Sequence, residues 1–181
     1  MTSNERPVYT GLRIYNDPAG RFAFQYPKEW HRFDLENNRD GVMYSPQADT
    51  PTTWFAVWSS ELPYPVTAED VDLLREGVNE GLTRLQDLHV EFESEDVIGN
   101  LCRFKRTYTF TEQGQVRKRQ VWMIYVYRWL FVLMAQGASP EAYQHWSMML
   151  EDCLTSFDLA EELWFASDPE KMPLNQAHPG R

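Results

Sequence analysis

The sequence has few residues in patterns that carry recognisable chemistry. It contains two cysteines in 181 residues, and neither Cys102 nor Cys153 lies near another cysteine or in a metal-binding spacing. The four histidines are too far apart in sequence for a zinc motif. A Gly-rich phosphate loop and a Gly-x-Ser-x-Gly motif are also missing. The sequence therefore favours a protein that is not an enzyme, without a cofactor or a metal, whose cysteines are reduced and buried.

An enzyme is the alternative if residues distant in sequence assemble a site. The candidates are His31, His89 or His145 beside a carboxylate, whereas His178 falls in the terminal tail. Cys102 with a histidine would make a nucleophile pair, but a buried structural thiol is the favoured interpretation.

Basic charge is scarce overall and concentrated in one part of the chain. The net charge of −10 argues against a general nucleic-acid binder, which needs a basic surface to neutralise phosphates. Residues 101–128 nevertheless hold seven of the 17 Lys and Arg residues and one acid. We interpret most of this charge as cross-strand pairing with the acids of 91–96. Arg117, Lys118 and Arg119 have only Glu112 near them in sequence, which makes them a candidate anion or acidic-partner surface.

Long apolar runs are missing as well. The first seven residues lack the apolar core of a signal peptide. The most apolar stretch, Val121–Ala135, has 15 residues with Arg128 in the middle, and it is too short and too charged to span a bilayer. We therefore expect a cytoplasmic protein without membrane insertion, unless residues upstream of this sequence are missing.

The strongest structural signal is Glu91–Gln136, which predicts three antiparallel strands in a row. β-Branched and aromatic residues dominate it, and glycines mark its loops. Gln120–Val126 is apolar at both parities, so we expect elements packed on both faces of that strand. The runs are Glu91–Ile98, Leu101–Phe110 and Val116–Tyr127, the last continuing after a corner at Arg128 into Trp129–Gln136.

Two helices are predicted, one on each side of this stretch. The first, Thr67–Leu85, begins with a capping box of Thr67 and Asp70. The second, Pro140–Ser156, has Ser139 as its cap. Short strands are expected before the first helix, at Leu12–Tyr15, Phe22–Tyr26, Arg32–Leu35, Val42–Ser45 and Trp54–Ser59.

This order of elements predicts one α+β domain, an antiparallel sheet of about six to eight strands sandwiched by helices. We expect residues 1–11 to be a flexible arm and residues 12–158 to form the domain. Residues 159–181 are expected to be an acidic, then Pro-rich tail that is partly disordered. In this tail, Leu163-Trp164-Phe165 is expected either to dock onto the domain or to meet a second chain.

Tryptophan is abundant, with seven in the chain. Trp30, Trp58, Trp122 and Trp146 have positions that suit the core. Other aromatic residues lie at element ends or in the tail, where they are typical of interface anchors. Together with the basic triplet they make up the candidate partner or anion surface: Arg117, Lys118, Arg119, Trp129, Trp54, Trp164 and Phe165.

The stretch Asp17–Trp30, DPAGRFAFQYPKEW, resembles the opening of the PsbP-like domains. In that phrase a glycine precedes an alternating aromatic strand that ends in Tyr-Pro-x-x-Trp. The group includes the photosystem II extrinsic protein, the Ran-binding Mog proteins, bacterial DcrB and type VI effector chaperones, and the chain most resembles its bacterial members. The resemblance covers roughly residues 12–158 and implies an α/β/α sandwich. No manganese, calcium or Ran site of the group can be carried over onto this sequence.

These observations lead to three hypotheses. The first is a non-enzymatic binding or assembly module that presents a sheet face or edge to a protein partner or to a second copy of itself. The second is a carrier of a small hydrophobic molecule in an aromatic pocket under the helices. The third is the enzyme described above.

Overall fold

The computed structural model describes residues 7–168 and residue 170, and its centre is an antiparallel sheet of seven strands. The strands of the chain are β1 (Leu12–Asn16), β2 (Phe22–Pro27), β3 (His31–Phe33), β4 (Asp40–Ser45), β5 (Trp54–Glu61), β6 (Gln86–Ile98), β7 (Leu101–Glu112), β8 (Gln115–Val126), β9 (Trp129–Gly137) and β10 (Asp158–Leu159). The helices are α1 (Val71–Thr83), α2 (Pro140–Thr155) and α3 (Glu161–Ala166). The main sheet has the order β3-β4-β5-β9-β8-β7-β6, and β1, β2 and β10 form a separate sheet of three strands.

The central stretch contains four strands, not the three predicted. The predicted corner at Arg128 is a tight turn that reverses the chain, with Tyr127 in the left-handed region at φ 52°. Val126 therefore pairs with Trp129, and β8 and β9 remain paired up to Lys118 and Gly137. β6 also begins five residues earlier than predicted, directly after α1.

The two faces of the main sheet are covered by different elements. On one face, α1 and the segment before it pack Val66 and Val78 onto Cys102 and Phe104 of β7. On the other face, α2 and the small sheet cover the largest part of the core. The prediction of an antiparallel α+β sandwich is confirmed, and so is the burial of β8 from both sides.

The small sheet is held on the main sheet by aromatic contacts. Phe24 of β2 lies 5.2 Å from Phe55 in an edge-to-face arrangement, and Phe22 lies 5.6 Å from Phe131 in the same manner. Such pairs stabilise a core by about 0.5–1.5 kcal/mol beyond the area that they bury. The aromatic alternation in β2 thus joins the second sheet to the core.

Both helix starts match the sequence pattern. Thr67 and Asp70 form the predicted capping box, in which the Thr67 N–H donates to Asp70 Oδ2 at 2.7 Å. This box encloses a short 3₁₀ turn, so α1 itself begins at Val71, four residues after the predicted start. At α2, the Ser139 hydroxyl accepts a hydrogen bond from the Ala142 N–H at 3.1 Å.

The segments outside residues 12–158 contact the domain where they are described. Tyr9 Oη donates a hydrogen bond to Asp152 Oδ2 of α2 at 2.5 Å. Leu163 of α3 is buried in the main core. Residues 1–6 of the expected N-terminal arm, and residues 169 and 171–181 of the expected tail with His178, lie outside the described residues.

Candidate functional site

The described histidines do not form a catalytic cluster. His31 lies on β3 and His89 on β6, the two opposite edges of the main sheet. Six strand spacings of about 4.8 Å separate those edges by roughly 30 Å. His145 lies on the exposed side of α2. Within residues 7–168 no group of three or more His, Cys, Asp or Glu side chains could hold a metal ion.

The two cysteines lie on opposite sides of the main sheet. Cys102 belongs to the cluster under α1, and Cys153 belongs to the core under α2. Both thiols are free and buried, which confirms their interpretation as small core residues. Burial raises the pKa of each thiol, so neither has the character of a catalytic nucleophile.

The basic triplet on β8 is engaged inside the protein. Arg117 Nη1 donates to the Ala138 carbonyl at 2.7 Å, at the connection between β9 and α2. Lys118 forms an ion pair with Glu91 across two strands. Arg119 donates to the Gln136 side chain and lies 4.4 Å above the Phe110 ring. These contacts use much of the donor capacity that made the triplet a candidate anion surface.

Two of the three cations on β7, Arg103 and Arg106, meet acids of β6, as the sequence indicated. Arg103 donates to Asp96, with its Nη2 at 2.8 Å from Oδ2. Arg106 donates to Glu95 at 2.9 Å and lies 3.6 Å from Glu93. Cross-strand pairing therefore accounts for most of the charge of this hairpin.

Two of the predicted interface tryptophans have contacts within the fold. Trp129 is half-buried, and the Arg21 guanidinium lies 4.8 Å from the centre of its ring. Trp54 is also half-buried, and Arg119 lies 5.8 Å from its ring. Both rings pack against cations of this chain, so each has one face already covered.

Of the residues predicted to form the partner surface, Trp164 and Phe165 have large apolar side chains that are exposed. Trp164 is 40% exposed and Phe165 is 48% exposed. They lie on α3, whose C-terminal end meets the turn between β6 and β7. The Asn100 N–H of that turn donates to the Ser167 carbonyl at 2.6 Å. The pair therefore lies beside the end of the β6–β7 hairpin, where Val97 and Ile98 are also exposed.

β6 is a long outer strand of the main sheet with exposed apolar side chains. It pairs with β7 on one side, and no described strand pairs with it on the other. Val90, Phe92, Val97 and Ile98 are all exposed on it, Phe92 at 55%. The sequence indicates only weakly that β6 is an edge strand, because the run also has the β-branched and aromatic residues of an inner strand. Strand order, which the sequence does not show, makes it an edge.

Two open depressions lie on the outer side of α2 and at its N-terminal end. The first is lined by Lys118, Glu141, Gln144, His145 and Met148, among others. The second lies between the start of β8 and the first turn of α2. Neither lies between the sheet and its helices, which is where the carrier hypothesis places an aromatic pocket.

Comparison with known proteins identifies the fold. No protein-family model matches the chain, and no curated protein matches it in sequence. Solved structures do match: cyanobacterial PsbP from Synechocystis sp. PCC 6803 has a TM-score of 0.57 at 14% identity, over 86% of this chain and 98% of that one. LpqN of Mycobacterium tuberculosis, which is involved in cell envelope biogenesis, has a TM-score of 0.52 at 13% identity, over 85% and 89%.

The Ran-binding protein Mog1p of Saccharomyces cerevisiae is also similar, with a TM-score of 0.50 at 11% identity over 84% of this chain and 97% of that one. The chain thus has the PsbP-like fold, which confirms the fold that the Tyr-Pro-x-x-Trp phrase predicted. Identities this low establish the fold and not the activity. In the described part of the chain, no helix has the length and apolar character needed to cross a membrane.

Proposed function

We propose that this protein is a non-enzymatic binding module that receives an extended segment of a protein partner along the outer edge of β6. One observation carries the proposal: among the described strands, β6 ends the main sheet with a backbone edge that pairs with no other strand, and it has exposed apolar side chains. Such an edge offers main-chain hydrogen bonds to an added strand, while neighbouring side chains supply specificity.

The half of β6 nearest the turn between β6 and β7 is the part suited to receive a strand. Its register with β7 is shifted between Gln86 and His89 and between Val90 and Phe92. Bulges of this kind twist an edge away from further pairing. From Phe92 to Ile98 the register is regular, so about seven residues of flat edge are available.

The exposed side chains of α3 extend this edge. Trp164 and Phe165 lie beside the hairpin end that carries Val97 and Ile98. Aromatic side chains grouped next to an open strand are typical anchors in protein interfaces. We therefore include these four residues in the proposed partner surface.

The charge on β6 favours a different protein over a second copy of this chain. In a symmetric dimer, two antiparallel β6 strands would pair about a two-fold axis at one central residue. A residue before this centre on one strand then lies opposite the residue equally far after it on the other strand. The regular half of the strand carries Glu93, Glu95 and Asp96, so a centre at any residue from Phe92 to Asp96 sets an acid against an acid. Like charges directly opposite each other are destabilising. The name of the yeast neighbour records protein binding on the same fold, which supports this class of function.

A proline at Val97 tests the proposal. Val97 pairs with Cys102, one step from the Ile98–Leu101 pair that flanks the two-residue loop. Because the pair flanking such a loop is hydrogen-bonded and pairs alternate, the Val97 N–H points outward. Val97→Pro removes that N–H and leaves the hairpin bonds in place. Val97→Ala is the matched control, since it keeps the N–H.

The measurement is site-specific photo-crosslinking in the host cell, with a photoreactive phenylalanine analogue at position 92. We expect a discrete cross-linked product that Val97→Ala retains and Val97→Pro loses. Circular dichroism of both variants checks that they are folded. The proposal is wrong if no product forms, if Val97→Pro retains it, or if the product is a dimer of this chain.

A further inference from the structure

Lys105 is the one lysine of residues 7–168 that forms no ion pair. Among the other lysines of residues 7–168, Lys28 lies 3.8 Å from Glu29 and Lys118 pairs with Glu91. Lys105 has no described carboxylate within ion-pair distance. Its Nζ lies instead 4.0 Å from the centre of the Trp122 ring. The guanidinium of Arg103 lies over the same ring, at 5.8 Å.

The strand register places further donors around Lys105. Lys105 is directly opposite Ser94 on β6 and Trp122 on β8. Arg103 and Thr107 are two residues away on the same strand and share its face, which is the face that α2 partly covers. Opposite residues have Cβ atoms about 4.5–5.5 Å apart, so these side chains lie close enough to contact one ligand.

Several hydrogen-bond donors at this place have no described acceptor. The Arg103 Nε and Nη2 both donate to Asp96 Oδ2, which leaves Nη1 without a described acceptor. Lys105 has three N–H groups and no described acceptor. Gln120, opposite Thr107, accepts from Tyr143 Oη at 2.6 Å through Oε1, and its amide remains a donor.

Glu151 of α2 does not supply an acceptor for these unused donors. Glu151 attracts Lys105, but the two form no described ion pair, and burial raises the pKa of Glu151. Burial lowers the pKa of Lys105 and repulsion from Arg103 lowers it further, while attraction to Asp96 and Glu151 offsets only part of this lowering. An added anion would offset both effects on Lys105.

We propose that Lys105 and Arg103, above the ring of Trp122, bind an oxyanion on the sheet face between α2 and β6, in the form of a carboxylate or phosphate group of a small ligand. The hydroxyl groups of Ser94 and Thr107 and the amide of Gln120 lie around it as neutral donors. An oxyanion accepts several hydrogen bonds at once, which matches a cluster of unused donors next to two cations. The two cations of this site lie on β7, and the site shares only Ser94 with the strand proposed as the partner edge, so it does not depend on that proposal.

The test is a titration of the protein with sodium phosphate, and separately with citrate, at constant ionic strength against chloride. The signal is the Trp122 indole N–H in a ¹H–¹⁵N spectrum, assigned by its loss in Trp122→Phe. We expect a saturable shift of this signal. Lys105→Met keeps the aliphatic stem over Trp122 and removes the charge, and it should weaken binding at least about ten-fold.

Lys28→Met is the matched control, and it should bind as the wild type does. Arg103→Gln is a second variant that should also weaken binding, so the test does not rest on one substitution. A shift with phosphate alone or with citrate alone supports the site and identifies the group that it prefers. The proposal is overturned if neither salt gives a saturable shift, or if Lys105→Met and Arg103→Gln bind as tightly as the wild type.

Discussion

Arg106 Nη2 donates a hydrogen bond to Glu95 Oε1 at 2.9 Å across the β6–β7 hairpin, and the Arg106 side chain is only 2% exposed. Arg75 of α1 donates to the other oxygen of the same carboxylate at 2.7 Å. Glu95 thus connects a buried guanidinium of the sheet with the helix that covers it. This contact holds α1 against the strand that we propose as the partner edge.

We predict that Arg106→Ala lowers the free energy of unfolding by about 2–4 kcal/mol, because it removes one partner of a buried, hydrogen-bonded pair. Arg84→Ala is the control. It removes an arginine from the exposed Arg84–Glu80 pair, and such pairs contribute little. Urea unfolding at pH 7 measures both variants. Equal losses in the two would show that burial of Arg106 is not what makes its pair important.

We predict that the stability of the protein depends on pH through Asp17, in the turn before β2. Burial of Asp17 opposes its ionisation, but hydrogen bonds from the Arg21 side chain and N–H outweigh it, so the pKa of Asp17 lies below its ordinary value. A carboxyl group with a lowered folded-state pKa stabilises the fold above its unfolded value near 3.8. That contribution is lost as the pH falls through the folded value.

Asp17→Asn removes this titration. We expect the variant to be less stable at pH 7 and to lose less of its remaining stability than the wild type between pH 4 and pH 2. Denaturant unfolding at a series of pH values measures both effects. Parallel curves for the two proteins would contradict the assignment to Asp17.

The placement of the cysteines predicts their reactivity. Cys102 and Cys153 are buried on opposite faces of the main sheet, and burial raises the pKa of both thiols. We expect neither thiol to react with Ellman's reagent in the native protein, and two to react in guanidinium chloride. Fast reaction of one thiol without denaturant would show that its face of the sheet opens locally.

Two glycines predict opposite effects of the same substitution. A Cβ on Gly41 of β4 would lie 2.1 Å from the Val57 carbonyl oxygen, so Gly41→Ala must displace backbone and should cost about 2–4 kcal/mol. A Cβ on Gly77 of α1 would meet no atom within 4 Å. Gly77→Ala should therefore stabilise the protein by up to about 1 kcal/mol. Thermal unfolding of both variants measures the difference, and destabilisation by Gly77→Ala would contradict it.

The sequence predicted local structure well where side chains and backbone interact over a few residues. The capping residues Thr67 and Ser139 are where their patterns placed them, because a cap depends on neighbours within one turn. The pairing of Arg103 with Asp96 was also readable, since a hairpin of known loop length fixes which residues face each other. The Arg128 turn was missed because Tyr127 adopts a positive φ without a glycine to mark it.

The candidate surfaces depended on information that the sequence does not contain. Arg117 and Arg119 looked like unpaired charge because their partners, the Ala138 carbonyl and Gln136, come from the next strand and its loop. Lys105 belongs to the basic residues of 101–128, most of which the sequence suggested were paired across strands. Only the packing of β8 beside β7, with α2 above them, shows that it rests on Trp122 and has no carboxylate partner.

The sequence by itself determined that this chain makes a two-sided antiparallel sheet with two capped helices, because alternation, periodicity and caps are properties of neighbouring residues. Tertiary structure decided which strand became the edge and which lysine of the described residues was left without an ion pair. Both follow from strand order, which is set by contacts between residues far apart in the chain. The stretch from Glu91 to Gln136 therefore specified the sheet, whereas its neighbours in space decided what the sheet offers to a partner or a ligand.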